Sequence, residues 1–351
     1  IQNSVNIKIK GFKTNIEIGL TIFILGLSKK VLIADNLALV ASPFFEAADK
    51  GVALSFFSAW AATISYGLQI YFDFSGYSDM ATGLARMFGI KLPINFNSPY
   101  KAGNIVEFWR RWHITLSRFL KEYLYIPLGG NRLGQKKRYQ NLLITMLVGG
   151  LWHGAAWTFV LWGGLHGCFL CTYYFWKHCQ NRINWKPKNT ILYSFFSKFL
   201  TFIAVMIAWV PFRATTLEGS INVWRGLCGL NGISLPSRWF KLFYKTGDMD
   251  LSAIDRQTFK PQNDGLVKFY GTFPESLSLP DTSEIWFFIF LSFFISQFLP
   301  NSLQLIKKYD PVIGYPVYDR CKGFEFSWSS ASGWSFVISL LFFGCMLLIQ
   351  Q

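Results

Sequence analysis

The stretch YQNLLITMLVGGLWHGAAWTFVLWGGLHGCFLCTYYFW, residues 139–176, contains no Asp, Glu, Lys or Arg. A bilayer core takes about 20 helical residues to cross, so this run is too long for one crossing and short for two. Gly149, Gly150, Gly154, Gly163, Gly164 and Gly167 punctuate it, and glycine permits both a helix break and a close approach of helices. The reading splits the run at Trp152-His153-Gly154. Its first half, counted from Gln140, then has roughly 14 residues, or about 21 Å at helical rise, against a hydrocarbon core of roughly 30 Å. Two helices meet at a break at membrane depth.

Further candidate spans lie on both sides. Residues 16–34 form one, interrupted by Lys29 and Lys30, a pair too expensive to face lipid at mid-span. That helix is therefore either buried against protein or leaves the membrane there. Residues 53–72 form a cleaner span ending at Asp73, inside YFDFSGYSD, and three more fall at 191–210, 284–300 and 334–349. Of the 351 residues 52% are apolar, 19% aromatic and only 15% charged, with a mean hydropathy of +0.28. Soluble domains carry about 25% charged residues, so this composition excludes an ordinary soluble enzyme. It excludes disorder as well, which requires low hydrophobicity.

The net charge of +15 reads as cytoplasmic loops, not as a nucleic-acid face. Lys8, Lys10 and Lys13 precede the first span, and a basic cluster runs from Lys101 to Arg138. Lys177, Arg182, Lys186 and Lys188 follow the fourth span, and Lys307 and Lys308 the sixth. Simple alternation puts all of these on one side, as the positive-inside rule requires. The polar region 211–283 and the break at 153–157 then face outward. Cys168, Cys171, Cys179, Cys228, Cys321 and Cys345 are scattered, and no metal site is expected. The CxxC of Cys168 and Cys171 has no second pair at zinc spacing, so apolar packing is its reading.

NIVEFWRRWHITLSRFLKEY (104–123) is not a span, because Arg110, Arg111, Arg118 and Lys121 would each cost about 2.5–3.5 kcal/mol at mid-membrane. Ile105, Trp109, Trp112, His113, Leu116 and Leu120 recur at steps of three and four. This predicts one amphipathic helix at the cytoplasmic face. Asn104 and Glu107 resemble a capping box, and Glu107 stands four residues before Arg111. Of the four histidines, His178 reads as part of a basic flank and His166, in GGLHG, as a helix-packing residue. His153 sits at a glycine-flanked break, where irregular backbone needs protein or a wet cavity around it. His113 reads equally as an interfacial residue and as a functional one. Neighbouring cations should hold its imidazole neutral.

FDFSGYSDMATGLARMFGIKLPINFNSPY (72–100), FWRRWHITLSRFLKEYLYIPLGGNR (108–132) and GGLWHGAAWTFVLWGGLHG (149–167) resemble the membrane-bound O-acyltransferase (MBOAT) family. The likeness is to the bacterial branch acting on exported polysaccharides of the alginate kind. Residues 72–167 carry it strongly; 16–40 and 205–232 carry it more weakly. The resemblance implies an all-α polytopic membrane protein, with short broken helices and a cytoplasmic-side amphipathic helix around a tunnel. A single domain over 1–351 is expected, with 72–167 as its signature core. The chain opens on Ile1 without a signal peptide and family members are longer, so a fragment lacking N-terminal spans is expected.

The resemblance further implies O-acyl transfer. An acetyl group would pass from a cytoplasmic thioester, acetyl-CoA or another acyl donor, to a hydroxyl of a polysaccharide or a periplasmic relay protein of the acetyltransferase or esterase kind. His153 matches the family's catalytic histidine and is expected to be the base; His113 matches its second signature histidine, on the donor side. Arg110 and Arg111 are expected to hold donor phosphates, with a solvated cation face as the alternative. Asp73, Ser75, Tyr77 and Asp79 are expected along the substrate path or in structural pairs, and Trp152 and Asn131 beside it. No bound cofactor is expected, and the bacterial inner membrane is the expected location. A transporter would show a second copy of the broken-helix motif, which the sequence lacks. A non-catalytic anchor of a modifying complex is the other alternative.

Overall fold

The computed structural model describes residues 11–185, 190–234, 267–268, 282–314, 328–329 and 332–349. Lys8, Lys10, Lys186, Lys188, Cys321 and most of the 211–283 region lie outside the described residues. The described part is helical apart from short β pairings, chiefly β1 (Ile233–Ser234) beside β2 (Val267–Lys268), parallel.

The first helix does not stop at residue 34. α1 (Phe12–Ser28) runs through a π-helical turn at Lys29–Ala34 into α2 (Asp35–Asp49). The wider turn directs both lysines at α3 (Phe56–Met87). Lys29 Nζ lies 2.6 Å from Asp79 Oδ2, and Lys30 Nζ lies 2.9 Å from Asp73 Oδ1 and 2.8 Å from Asp35 Oδ1. The lysine pair that looked too expensive for lipid is thus turned into protein and neutralised.

α3 runs on through the FDFSGYSD segment to Met87, where the sequence reading had a span ending at Asp73. At helical rise its 32 residues extend about 48 Å. The alternation of aromatic and small residues is in fact a helical face: Phe72, Ser75, Gly76, Asp79 and Gly83 are all buried, at steps of three and four. Glycines bring α3 against α1. A Cβ on Gly26 would stand 2.6 Å from the Gly76 carbonyl oxygen, and one on Gly19 2.5 Å from that of Gly83. Backbone meets backbone.

The same device joins α6 (Gly134–His153) to α7 (Trp157–Arg182). A Cβ on Gly163 would collide with the Met146 carbonyl, and one on Gly150 with that of Phe159. The break at His153-Gly154 is where the sequence reading put it. α6, however, begins at Gly134, so it is longer than the half-span expected. Its first turn is the charged Gln135-Lys136-Lys137-Arg138, and the apolar part remains short. Cys171 is half-buried but Cys168 is exposed on α7, so packing does not account for the first cysteine of that pair.

α4 (Ile105–Arg111) and α5 (Ile114–Leu120) replace the single amphipathic helix expected over 104–123. The chain breaks at Trp112, which is extended, and His113, which adopts φ 41°, ψ 55°. Residues 95–97 pair across the break: Asn97 N donates to Arg111 O and Ile114 N to Asn95 O, both at 2.9 Å. These bonds replace the helical ladder at the break. The Trp112 ring is drawn inward against Phe96, Phe108 and Trp209. Of the two local contacts expected here, one forms in full and one in part. Asn104 Oδ1 accepts from Glu107 N at 2.9 Å and Glu107 pairs with Arg111 at 2.8 Å, although the Glu107 carboxylate takes Gly103 N instead of closing the capping box.

α8 (Ile191–Arg213) is the one described helix long and apolar enough to cross a membrane. Ile191, Phe195, Phe199 and Leu200 on it are exposed. So are Phe287, Phe290 and Phe294 of α10 (Thr282–Phe298). α9 (Leu217–Leu227), α11 (Ser302–Leu305) and α12 (Ser332–Ile349) complete the described helices. Exposed apolar surface of this extent marks contact with lipid or another protein.

Polar contacts define two ends of the bundle. At one, Lys91 pairs with Asp310, Asn301 binds Asn97 and Ser98, and Gln135 binds His178. At the other, the Asp49 carboxylate accepts from the backbone and hydroxyls of Thr215 and Thr216, and Asn231 donates to Leu54 O. The described basic clusters of 101–138, 177–182 and 307–308 gather at the first end.

Candidate active site

His113 belongs to the basic end. Its Nδ1 lies 3.1 Å from Asn95 Oδ1, which also accepts from Thr115 Oγ1 at 2.9 Å and Thr115 N at 3.3 Å. The Asn95 amide is oriented by its other bond, Nδ2 donating to Ser78 Oγ at 3.1 Å. A carbonyl oxygen only accepts, so the contact with Asn95 Oδ1 favours the tautomer with the proton on Nδ1, which also lies 3.4 Å from Thr115 Oγ1. Nε2 then presents a bare lone pair. The ring is wedged against Phe74 and Phe96, with centroids 4.8 and 6.3 Å away, and remains partly exposed.

The His113 pKa is pushed down to about 4. Burial is the larger cause and the charge of His153 the smaller. The expected direction is correct but the expected cause is not, since the arginines of the segment do not produce it. Replacing Asn95 with alanine frees the His113 tautomer and should lower turnover about tenfold or more, since base catalysis depends on orientation. Asn95→Asp instead puts a carboxylate on Nδ1, which favours the imidazolium. The acid limb of the pH–rate profile should then move upward in pH; an unmoved limb rejects this role for Asn95.

His153 ends α6 near the opposite end. Its half-buried ring packs on Trp152, Trp162 and Phe212 at 5.0, 5.1 and 5.0 Å and on Phe159 at 6.3 Å. Gly154 is required here, because a Cβ would stand 2.7 Å from the Phe159 ring. Phe212 immediately precedes Arg213, which donates to Ser42 Oγ at 3.1 Å beside the Asp49 end. The two histidines therefore approach a shared aromatic interior from opposite ends.

A cavity of about 580 Å³ opens at the basic end between α4, α5, the 126–133 loop, α6 and α7. Arg110, Lys121, Arg132 and Arg138 line it with Asn131, while Val106, Trp109, Leu120, Leu142, Met146 and Leu170 supply apolar wall. The loop is shaped by Gly129 and Gly130, at φ 100° and 56°, and pinned by Asn141, whose amide donates to Leu128 O and Gly130 O at 3.0 Å. Arg138 stacks 3.4 Å over the Tyr174 ring.

The structure sorts the expected substrate-side residues. Arg110 and Asn131 line the cavity. Arg111 does not: it binds Glu107 and the Asn97 carbonyl. Asp73 and Asp79 are committed to Lys30 and Lys29 and orient neither histidine. Tyr77 is 65% exposed, on the face of α3 away from α1. Ser75 is buried with its hydroxyl unpartnered among the described residues, and Trp152 is exposed beside His153. Neither Asn95, Arg132 nor Arg138 was singled out from the sequence as a catalytic or substrate-binding residue. The signal for Arg138 was its place in the basic cluster that runs from Lys101 to Arg138.

These features belong to a known class. The family model for MBOAT, the membrane-bound O-acyltransferase family, matches residues 2–211, and the chain is a member of that family. It is similar to a peptidoglycan O-acetyltransferase of Helicobacter pylori, 53% identical over 63% of this chain and 40% of the relative. A probable alginate O-acetylase AlgI of Azotobacter vinelandii is 47% identical over 57% of this chain and 38% of the relative. A teichoic acid D-alanyltransferase of Bacillus subtilis is 30% identical over 41% and 36%. The chain thus spans about two fifths of the length of these relatives.

Proposed function

We propose that this chain carries the reaction core of a multi-pass O-acyltransferase of a bacterial inner membrane. It moves an acetyl group from a cytoplasmic thioester to a hydroxyl of an exported polysaccharide or of an extracytoplasmic relay protein. Its relatives' names, an O-acetyltransferase of peptidoglycan and O-acetylases of alginate, support the acyl group and the acceptor class. The observation that carries the mechanism is the partly exposed His113 ring, held through Nδ1 by Asn95.

A thioester is reactive, but a hydroxyl is a poor nucleophile until its proton is removed. In this reading His113 Nε2 takes that proton. The hydroxyl oxygen bonds to the acyl carbon, the C–S bond breaks, and the imidazolium returns its proton to the departing thiolate. Base catalysis of this kind contributes about 10²–10⁴-fold. His153, which has no hydrogen bond to its ring among the described residues, borders the acceptor side. This exchanges the roles expected from sequence, because of these two histidines only His113 has a polar partner on its ring among the described residues.

The cavity suits the donor. Its cations match phosphate groups, its apolar wall matches a pantetheine arm, and its volume lies in the range of small-molecule sites. Lys121→Ala and Arg138→Ala should each raise the donor KM several-fold, more at low salt than at high salt, with kcat little changed. An unaltered KM in both variants removes the donor from this cavity. The test of the function itself is the acetyl content of exported polysaccharide in cells carrying His113→Ala and His153→Ala, with membrane insertion checked. Normal acetylation in both would leave only a non-catalytic role.

A further inference from the structure

His166 has no part in the mechanism above, and packing alone accounts poorly for it. The residue is fully buried, and neither ring nitrogen has a hydrogen-bond partner among the described residues. It is held in an aromatic cage, with the Trp109 and Trp162 rings at 5.0 and 5.1 Å, and the Phe108 ring stacked at 6.0 Å and 8°. The indole nitrogens of Trp109 and Trp162 are buried and unpartnered too, and those two rings lie 5.8 Å apart. Three polar rings in mutual contact thus leave their nitrogens unsatisfied. Buried polar groups are nearly always bonded, and leaving one unmade is costly. Phenylalanine at 166 would fill similar space without that cost.

The position of the cluster suggests what completes it. Trp109 is also a wall of the basic cavity, and Trp162 also touches the His153 ring at 5.1 Å. The cluster therefore separates the donor cavity from the acceptor-side histidine. Indole nitrogens only donate, and a neutral imidazole offers one further donor. Those three donors call for an acceptor, and an uncharged carbonyl oxygen, with two lone pairs, takes two of them at a time.

We propose that Trp109, Trp162 and His166 form the binding site for the carbonyl oxygen of the acyl thioester. The inference rests on the acyl-transfer reading and extends it. As the hydroxyl adds to the acyl carbon, that oxygen gains negative charge, and fixed donors in a dry site stabilise it. The three residues are substrate-contacting, and His166 donates without taking up a proton.

The test uses the full chain in membranes with His113→Ala present, so that bound thioester is not consumed. The probe is S-acetyl-4′-phosphopantetheine labelled with ¹³C at the carbonyl, read by difference infrared spectroscopy. The expected result is a carbonyl band at lower frequency than in water, returning towards a non-bonded position when His166→Phe or Trp109→Phe is added. In the otherwise native protein each variant should lower kcat about tenfold or more, while the thermal midpoint of His166→Phe holds or rises. Retained thioester whose band neither variant moves overturns the carbonyl site and leaves the donor cavity standing. Failure to retain thioester at all overturns both.

Discussion

Alanine at position 113 is expected to reduce acetyl transfer by about 10²–10⁴-fold, the usual contribution of a positioned base, while the protein remains inserted and folded. His113→Gln should be equally inactive, because an amide cannot take up the proton. The pH dependence is equally specific. The base works when neutral, and burial together with His153 lowers its pKa to about 4. Transfer should therefore stay level as pH falls through 6.5, the ordinary histidine value, and decline only near 4. Stability follows the same group. Between about 6.5 and 4 the unfolded chain binds a proton at His113 that the folded chain does not. Stability thus rises with pH across that window and is undiminished above it. Rate profiles and denaturation midpoints of native and His113→Gln protein check both statements. A native acid limb near 6.5 contradicts the buried, neutral imidazole.

The second large effect is expected at Lys29. Its ammonium and the Asp79 carboxylate are 16% and 8% exposed and lie in the seam where glycines press α1 against α3. Lys29→Ala leaves the Asp79 carboxylate buried and uncompensated, which costs about 3–5 kcal/mol in comparable pairs. The double replacement Lys29→Met with Asp79→Leu removes both charges and should restore most of the loss. Thermal unfolding in detergent, read by loss of the monodisperse peak, measures it. Equal destabilisation by single and double variants would show that an uncompensated Asp79 charge is not the source of the loss. Lys30, shared between Asp35 and Asp73 and 40% exposed, should matter less.

The break at His153-Gly154 was legible because glycine, an uncharged flank and a run of the wrong length for one helix all pointed to one place. The helical face Ile105, Trp109, Trp112, Leu116 and Leu120 was legible for a similar reason, as apolar residues recurred at helical steps. The break at His113 was not. Local periodicity continues straight through it, and the bonds that open the helix come from Asn95 and Asn97, in a segment whose approach no local pattern reports. YFDFSGYSD misled in the opposite way: its alternation of aromatic and polar residues read as the end of a span. Only the glycines of α1 reveal which of those residues face inward. Asp73 and Asp79 could not be separated from a substrate path without their lysine partners, which a π-helical turn presents from another helix. The chemistry of His166 was hidden because GGLHG equally describes a packing face. The absence of hydrogen-bond partners emerges only in three dimensions.

The central claim is that one reaction zone is approached by a thioester from the basic end and by a hydroxyl from the opposite end. Sealed vesicles of single orientation test it. Labelled acetyl thioester is supplied on the basic face alone, and an impermeant polysaccharide acceptor, with any relay protein the reaction requires, on the other. The account predicts that label crosses to the acceptor and that His113→Ala abolishes the crossing. Transfer only when donor and acceptor share a face, or crossing at the native rate in His113→Ala, would contradict it.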